Sequence, residues 1–246
     1  MDGKREGLGD LYHQGTKYRR ETMPRGGLDW ARQPPPYKGF ADARAHFRLR
    51  PLGQKGGKSL WEVIAERRSV REFSNRSISF LDLSQLIWAT QGITLKAQGF
   101  DFRASPSAGA LYPIETYLVA NRVEEIPPGL YHYDPRGVQL SLLKEGHFGP
   151  ELSQAGLGQE MIEEAACVFV WTAVVGRSKW KYRERAYRYI YIDAGHIGHA
   201  LYLAATALDL GCCTVGAFFD EEVDHVIGVD GKEEISVYLG AVGSVR

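Results

Sequence analysis

The 246-residue sequence predicts an α+β fold rather than a doubly wound sheet, on three observations. Two strand-like runs, 129–133 and 138–142, flank Asp134-Pro135-Arg136-Gly137, whose Pro and Gly favour a turn, so they read as a hairpin. Residues 166–175 are almost continuously apolar and rich in β-branched and aromatic side chains, as a strand buried on both faces requires. Helical patterns occur between the strands but without regular βαβ alternation.

The elements follow in order. Ser59 with Glu62 three residues on is a capping-box spacing, predicting a helix from Leu60 to about Arg68 with Trp61, Ile64 and Ala65 on one face. Leu83, Leu86, Ile87 and Ala89 recur at helical spacing after Ser79, with Gly92 as the stop. Residues 114–120 read as a strand and 148–155 as a short helix. Residues 187–210 lack Pro, are rich in Ala and Leu, and end at Gly211, predicting a long, mostly buried helix. A strand over 214–219, a short helix from Asp220 and a strand over 235–239 complete the chain. Residues 1–58 hold 10 of the 28 glycines and 5 of the 11 prolines, with 13 Lys and Arg against 6 Asp and Glu. They read as an extended arm, and 59–246 as the folded domain. Five arm aromatics (Tyr12, Tyr18, Trp30, Tyr37, Phe40) predict that parts of the arm pack on that domain.

Composition excludes several classes. Formal net charge is zero, which argues against a polyanionic partner such as nucleic acid or an anionic membrane surface. The zero is a sum of opposites: 1–58 carry +7, 177–188 carry +5 and 220–234 carry −6. The longest apolar run, 165–175, is too short to span a membrane, which takes about 20 residues. The polar N-terminus does not read as a secretory signal, and Cys167, Cys212 and Cys213 do not pair sensibly, so the expected compartment is the reducing cytoplasm. No Cys/His spacing suggests zinc, and His196 and His199 without a third convergent ligand do not make a metal site. GxGxxG, P-loop, HExxH and GxSxG motifs are absent.

Three segments carry chemistry. Arg67-Arg68-Ser69-Val70-Arg71 sets three guanidiniums and a hydroxyl at a helix end, a donor set suited to phosphate, although basic residues also favour helix C-termini. In Ser105-Pro106-Ser107-Ala108-Gly109-Ala110-Leu111-Tyr112-Pro113, small residues between prolines give a low-profile backbone on which a flat ring system could lie; a tight turn before a strand is the plain alternative. In 211–218, Gly216 and Ala217 allow a backbone N–H to approach a ligand closely.

In this order and spacing, with Lys181-Tyr182-Arg183-Glu184-Arg185 leading into Asp193-Ala194-Gly195-His196 and with Tyr12-His13-Gln14-Gly15-Thr16-Lys17-Tyr18, these segments resemble the nitroreductase fold family of flavoproteins, and within it the SagB/ThcOx-type branch. The resemblance spans nearly the whole chain. It implies a mixed, largely antiparallel sheet flanked by helices and an intertwined homodimer with FMN at the interface. It further implies that Arg67 and Ser69 hold the FMN phosphate, that Arg68 also serves the cofactor, and that Arg71 reaches the pyrimidine edge, where reduced flavin carries negative charge. Pro106, Ser107, Ala108 and Gly109 would line the ring, from the partner subunit, with the Gly216–Ala217 backbone at flavin N5 and Arg246 adding to the phosphate site. Lys181-Tyr182 matches a pair that azoline-oxidising members use, where hydride goes to N5 and a base takes a proton. The sequence departs from the branch at Asp193, where a Glu is usual, and at His199-Ala200, where Gln-Asn is usual. The implied activity is FMN-dependent oxidation of an azoline or related heterocycle. Its alternatives are NAD(P)H-dependent reduction of nitroaromatics or quinones, and a flavin-binding subunit of a peptide-modification complex. For 177–188, the plain alternative is a solvated basic face.

Overall fold

One strand organises the molecule, and its burial follows from its composition. The computed structural model describes residues 7–21, 27–51, 57–97 and 99–246, so the polar N-terminus of 1–6 and two stretches of the arm lie outside the described residues. The helices are α1 (Leu8–Gly15), α2 (Leu60–Glu66), α3 (Phe80–Gln91), α4 (Gly149–Ala155), α5 (Glu160–Glu164), α6 (Val175–Tyr182), α7 (Ala186–Ala207) and α8 (Asp220–Ile227). The strands are β1 (Ala45–Arg48), β2 (Ile93–Ala97), β3 (Phe100–Arg103), β4 (Ile114–Ala120), β5 (Gly129–Asp134), β6 (Gln139–Glu145), β7 (Cys167–Val174), β8 (Leu210–Val215) and β9 (Glu234–Ser244). Seven strands form one sheet in the order β1-β6-β5-β4-β7-β9-β8, with β2 and β3 as a separate hairpin. Every pairing between these strands is antiparallel. This is the α+β class the sequence predicts.

β7 is buried from Cys167 to Ala173 and divides the core by its period of two. Phe169, Trp171 and Ala173 face the layer of α3 and α7, among Leu83, Leu86, Ile190, Ile197 and Leu201. Val168 and Val170 face α4, α5 and α8, among Leu152, Ile162, Val223 and Ile227. Covering both faces explains why the segment reads as a continuous apolar run instead of alternating. The three cysteines are buried in these layers as small hydrophobic side chains.

Several boundaries differ from the sequence reading. α2 stops at Glu66, which leaves Arg67 and Arg68 in the extended exit from the helix. α7 ends at Ala207, not 210: Asp209 turns the chain at φ +55°, and Leu210 already begins β8. Gly211 is therefore a strand residue, needed because a Cβ there would sit 2.8 Å from Val70 Cγ1. The strand expected over 214–219 lies instead at 210–215, and the strand expected over 235–239 runs on to Ser244. Gly240 makes that extension possible, since its Cβ would fall 2.7 Å from Leu201 Cδ2 and 3.0 Å from the Trp171 ring. α5, α6, the β2–β3 hairpin and β1 are elements the periodicity did not reveal. β1 pairs with β6 at the sheet edge, so residues read as arm complete the sheet.

Gly240→Ala should overpack the interface between β9, Trp171 and α7 and cost about 1–3 kcal/mol. Chemical denaturation of the variant against the parent protein checks this.

Candidate functional site

The sequence-predicted residues gather into two groups on opposite edges of α7. The first group surrounds Tyr202. Ser69 Oγ lies 2.9 Å from its hydroxyl, the Arg67 guanidinium sits over its ring at 5.2 Å, and the Thr214 amide donates to its oxygen at 2.9 Å. Thr214 Oγ1 continues to Tyr238 Oη at 2.6 Å. The backbone of Val70 donates to Cys212 O, laying the Arg67–Arg71 segment along the free edge of β8 and so alongside the strand that leads to Gly216. Tyr202 and Tyr238 were not singled out by the sequence reading; their ring-and-hydroxyl pattern on a helix and a strand gave no separate signal.

This group suits an anion. Among the described residues, Arg67, Arg68 and Arg71 make no ion pair. Arg68 donates only to the backbone carbonyls of Ala65 and Arg67, and Arg71 reaches only Ser69 O at 3.5 Å. Three exposed or half-buried guanidiniums thus retain donors in one place. Beyond β8, the amides of Gly216 and Ala217 donate to no described acceptor. Gly216 borders a surface cavity of about 340 Å³ with Tyr191, Phe218 and Val237. Arg246 stands apart from Tyr202: its guanidinium donates to Phe73 O at 3.0 Å and pairs with Glu164 at 3.3 Å.

The second group is built around Asp193, a buried carboxylate on α7. Ser107 Oγ donates to Asp193 Oδ2 at 2.6 Å and the Ala108 amide to Oδ1 at 3.2 Å, while Ser107 Oγ accepts from the Tyr112 amide at 3.0 Å. Burial raises the Asp193 pKa, and the two hydrogen bonds only partly offset it. The carboxylate fixes a turn that local preference opposes, for Ala110 and Tyr112 hold φ of +54° and +46° beside Gly109 at +68°. At Gly109 a Cβ would lie 2.5 Å from Tyr182 Oη and 2.9 Å from Lys181 Nζ. The glycine is therefore required by its conformation and by the closeness of the Lys181–Tyr182 pair. Pro106 is exposed at the same turn. Burial, with the neighbouring Tyr189 and Asp193, raises the Tyr182 pKa and keeps its hydroxyl protonated.

The basic segment 177–188 is not a solvated face. Arg177 is buried against Glu115 at 2.6 Å and donates to Pro35 O at 2.8 Å. Arg185 donates to Thr16 O and Arg188 to Thr16 Oγ1, both at 2.8 Å, and Arg185 covers the Tyr18 ring at 4.4 Å. Trp30 meets Trp180 edge-on at 5.3 Å. The arm thus packs on α6 and the start of α7, as its aromatics predict. Asp193 and Tyr202 are nine residues apart, two and a half helical turns, which puts the two groups on opposite sides of α7 and about 13 Å apart along its axis.

Comparison with known proteins gives the family. The family model described as the nitroreductase family matches residues 64–244. A "putative nitroreductase" of Methanocaldococcus jannaschii is 34% identical over 184 residues, which cover 75% of this chain and 90% of that one. The trifolitoxin-processing protein TfxB of Rhizobium leguminosarum bv. trifolii is 31% identical over 147 residues, covering 57% of this chain and 39% of that protein. A crystal structure from Anabaena variabilis, described in the same words as the M. jannaschii protein, superposes with a TM-score of 0.81 at 30% identity. It covers 97% of this chain, which spans 46% of that longer one.

Asp193→Asn removes one of the two carboxylate acceptors that serve Ser107 and Ala108 and should cost about 1–3 kcal/mol at neutral pH. Because the folded-state pKa of Asp193 is raised, its charged form is penalised by folding. Parent stability relative to the variant should therefore fall as pH climbs from below 3.8 through that raised pKa. Denaturation curves across this range check the sign.

Proposed function

This chain belongs to the nitroreductase family, and we propose that it is an FMN-dependent oxidoreductase of the SagB/ThcOx-type branch that dehydrogenates an azoline or related heterocycle. The observation that carries the reading is the meeting of the Ser107–Gly109 turn with Lys181 and Tyr182. A small-residue surface and a proton-handling pair share one place, with no room for a side chain between them. The donor set around Tyr202 fits the phosphate of FMN, and the unengaged amides of Gly216 and Ala217 fit its ring. The relation to a trifolitoxin-processing protein favours a substrate in a modified peptide.

The division of these groups between opposite edges of α7 supports a site completed by two protomers. In a homodimer, the Arg67–Arg71 segment and Gly216–Ala217 of one protomer would face Pro106, Ser107, Ala108 and Gly109 of its partner. α7 offers a surface for this, with Tyr191, Ile192, Gly195, His196 and His199 exposed. Residues 1–58 are read as an arm to the domain of 59–246, with Thr16, Trp30 and Pro35 set against α6 and the start of α7 and β1 joined to the sheet edge.

Bound FMN supplies a two-electron acceptor at N5 of its ring. Arg67, Arg68 and Ser69 hold the phosphate, and Arg71 brings positive charge to the pyrimidine edge. Converting an azoline to its azole breaks two ring C–H bonds and forms a double bond. The oxidation releases a hydride, which FMN held at this place would accept and pass on to O2, and a proton, which needs a base. Lys181 Nζ is the group placed to take that proton, and the protonated Tyr182 hydroxyl orients the reacting ring as a donor. Arg246, engaged by Phe73 O and Glu164, would join the phosphate site only by leaving those partners.

Lys181→Ala should keep FMN bound and lower oxygen-dependent azoline oxidation by about 10²–10⁴-fold. Steady-state turnover with matched flavin content checks this. Fast flavin reduction by NADPH, unaffected by the substitution, would instead favour the nitroreductase alternative. Arg71→Ala should weaken FMN at least tenfold, about 1.4 kcal/mol, in a fluorescence titration.

A further inference from the structure

A second cavity, of about 280 Å³, lies between the arm, the β2–β3 hairpin and the Ala110–Tyr112 turn. Its walls include Trp30, Tyr37, Phe100 and Tyr112, and its charged lining residues are Asp101, Arg103, Arg136 and Arg177. None of these belongs to the proposed FMN site.

Arg103 is the unusual member. It is only 7% exposed, and its guanidinium is held between the Tyr112 ring at 4.7 Å and the Tyr37 ring at 5.4 Å. Nη1 donates to Gln91 Oε1 at 3.1 Å. Nε has no partner, and Nη2 has no acceptor among the described residues. The other charges here are matched. Arg177 pairs with Glu115, which also holds His132 at 2.8 Å, and Arg136 approaches Asp101 at 3.6 Å, which accepts from the Tyr37 hydroxyl at 2.6 Å. Arg103 thus shares the influence of Glu115 with Arg177 and has no carboxylate of its own, so the cavity holds one uncompensated positive charge. A buried cation in this position is costly unless a further anion meets it.

We propose that this cavity binds an aromatic or heteroaromatic monocarboxylate, with its ring among Trp30, Tyr37, Phe100 and Tyr112 and its carboxylate on Arg103. A carboxylate at the cavity side of this guanidinium would supply the anion that Arg103 lacks. Asp101 in the wall disfavours a dianion such as a phosphate ester. The volume, about nine waters' worth, suits one or two fused rings. Ala110, which lines the cavity, follows Gly109 in the same turn. The inference stands on the cavity itself and does not require the FMN reading.

The test is calorimetric titration of the full-length protein with 2-naphthoate and with the isosteric neutral 2-naphthamide. The acid should bind saturably and at least tenfold more tightly than the amide. Arg103→Met should abolish that preference, and Phe100→Ala, a change at the exposed rim, should weaken both ligands at least threefold. Arg71→Ala should leave the acid's affinity unchanged. Equal affinities for acid and amide, or no saturable binding, would overturn the proposal without any variant. Loss of acid binding in Arg71→Ala would also overturn it, by placing the acid in the guanidinium group near Tyr202. Flavin content of the same samples reports separately on the proposed function.

Discussion

The hydrogen bonds from Ser107 and Ala108 to the buried Asp193 carboxylate are the constraint on which the site depends. Without them the chain from Ser105 to Pro113 has no reason to hold Ala110 and Tyr112 at positive φ. With them, Gly109 is pressed onto Lys181 and Tyr182, and the Tyr112 carbonyl is presented to Arg177. Asp193 in turn is fixed because α7 is clamped between β7 and the sheet edge through Ile190, Ala194, Ile197 and Leu201. The apolar packing of one long helix is thereby converted into the placement of a polar turn. A buried carboxylate is expensive, so its presence on an otherwise apolar helix face signals a role in positioning.

The same helix explains why the candidate site is divided. Its buried stripe is the middle of the molecule, and its two edges carry different chemistry: guanidiniums and free amides on one, the Asp193-held turn and the Lys–Tyr pair on the other. Arm residues close the second edge. Thr16 accepts from Arg185 and Arg188, and the Pro35 carbonyl accepts from Arg177. Lys38, Arg50 and Lys58 of the arm and Arg177 of the second basic segment pair with carboxylates elsewhere in the chain.

The fold class, β4, the hairpin and the central strand were legible because their signals are local: β-branched runs, turn residues and helical spacing. The boundaries of α7, β8 and β9 were not. There Gly211 and Gly240 act through contacts with Val70, Leu201 and Trp171, distant in sequence. For the site, the Arg67–Arg71 and Ser105–Pro113 segments declared themselves by composition and by family resemblance. The resemblance also pointed to Lys181 and Tyr182, but the reason for Gly109 appears only once both segments are folded together. Asp193 could be noticed as a lone acid on an apolar helix; its partners, and the unmatched charge on Arg103, depend on pairings that no sequence window contains.

If two protomers share the flavin site, native mass spectrometry of the FMN-saturated protein will show a dimer carrying two FMN molecules, with flavin lost as the dimer dissociates. A protein that takes up no FMN, or a monomer that retains it stably, would exclude that arrangement.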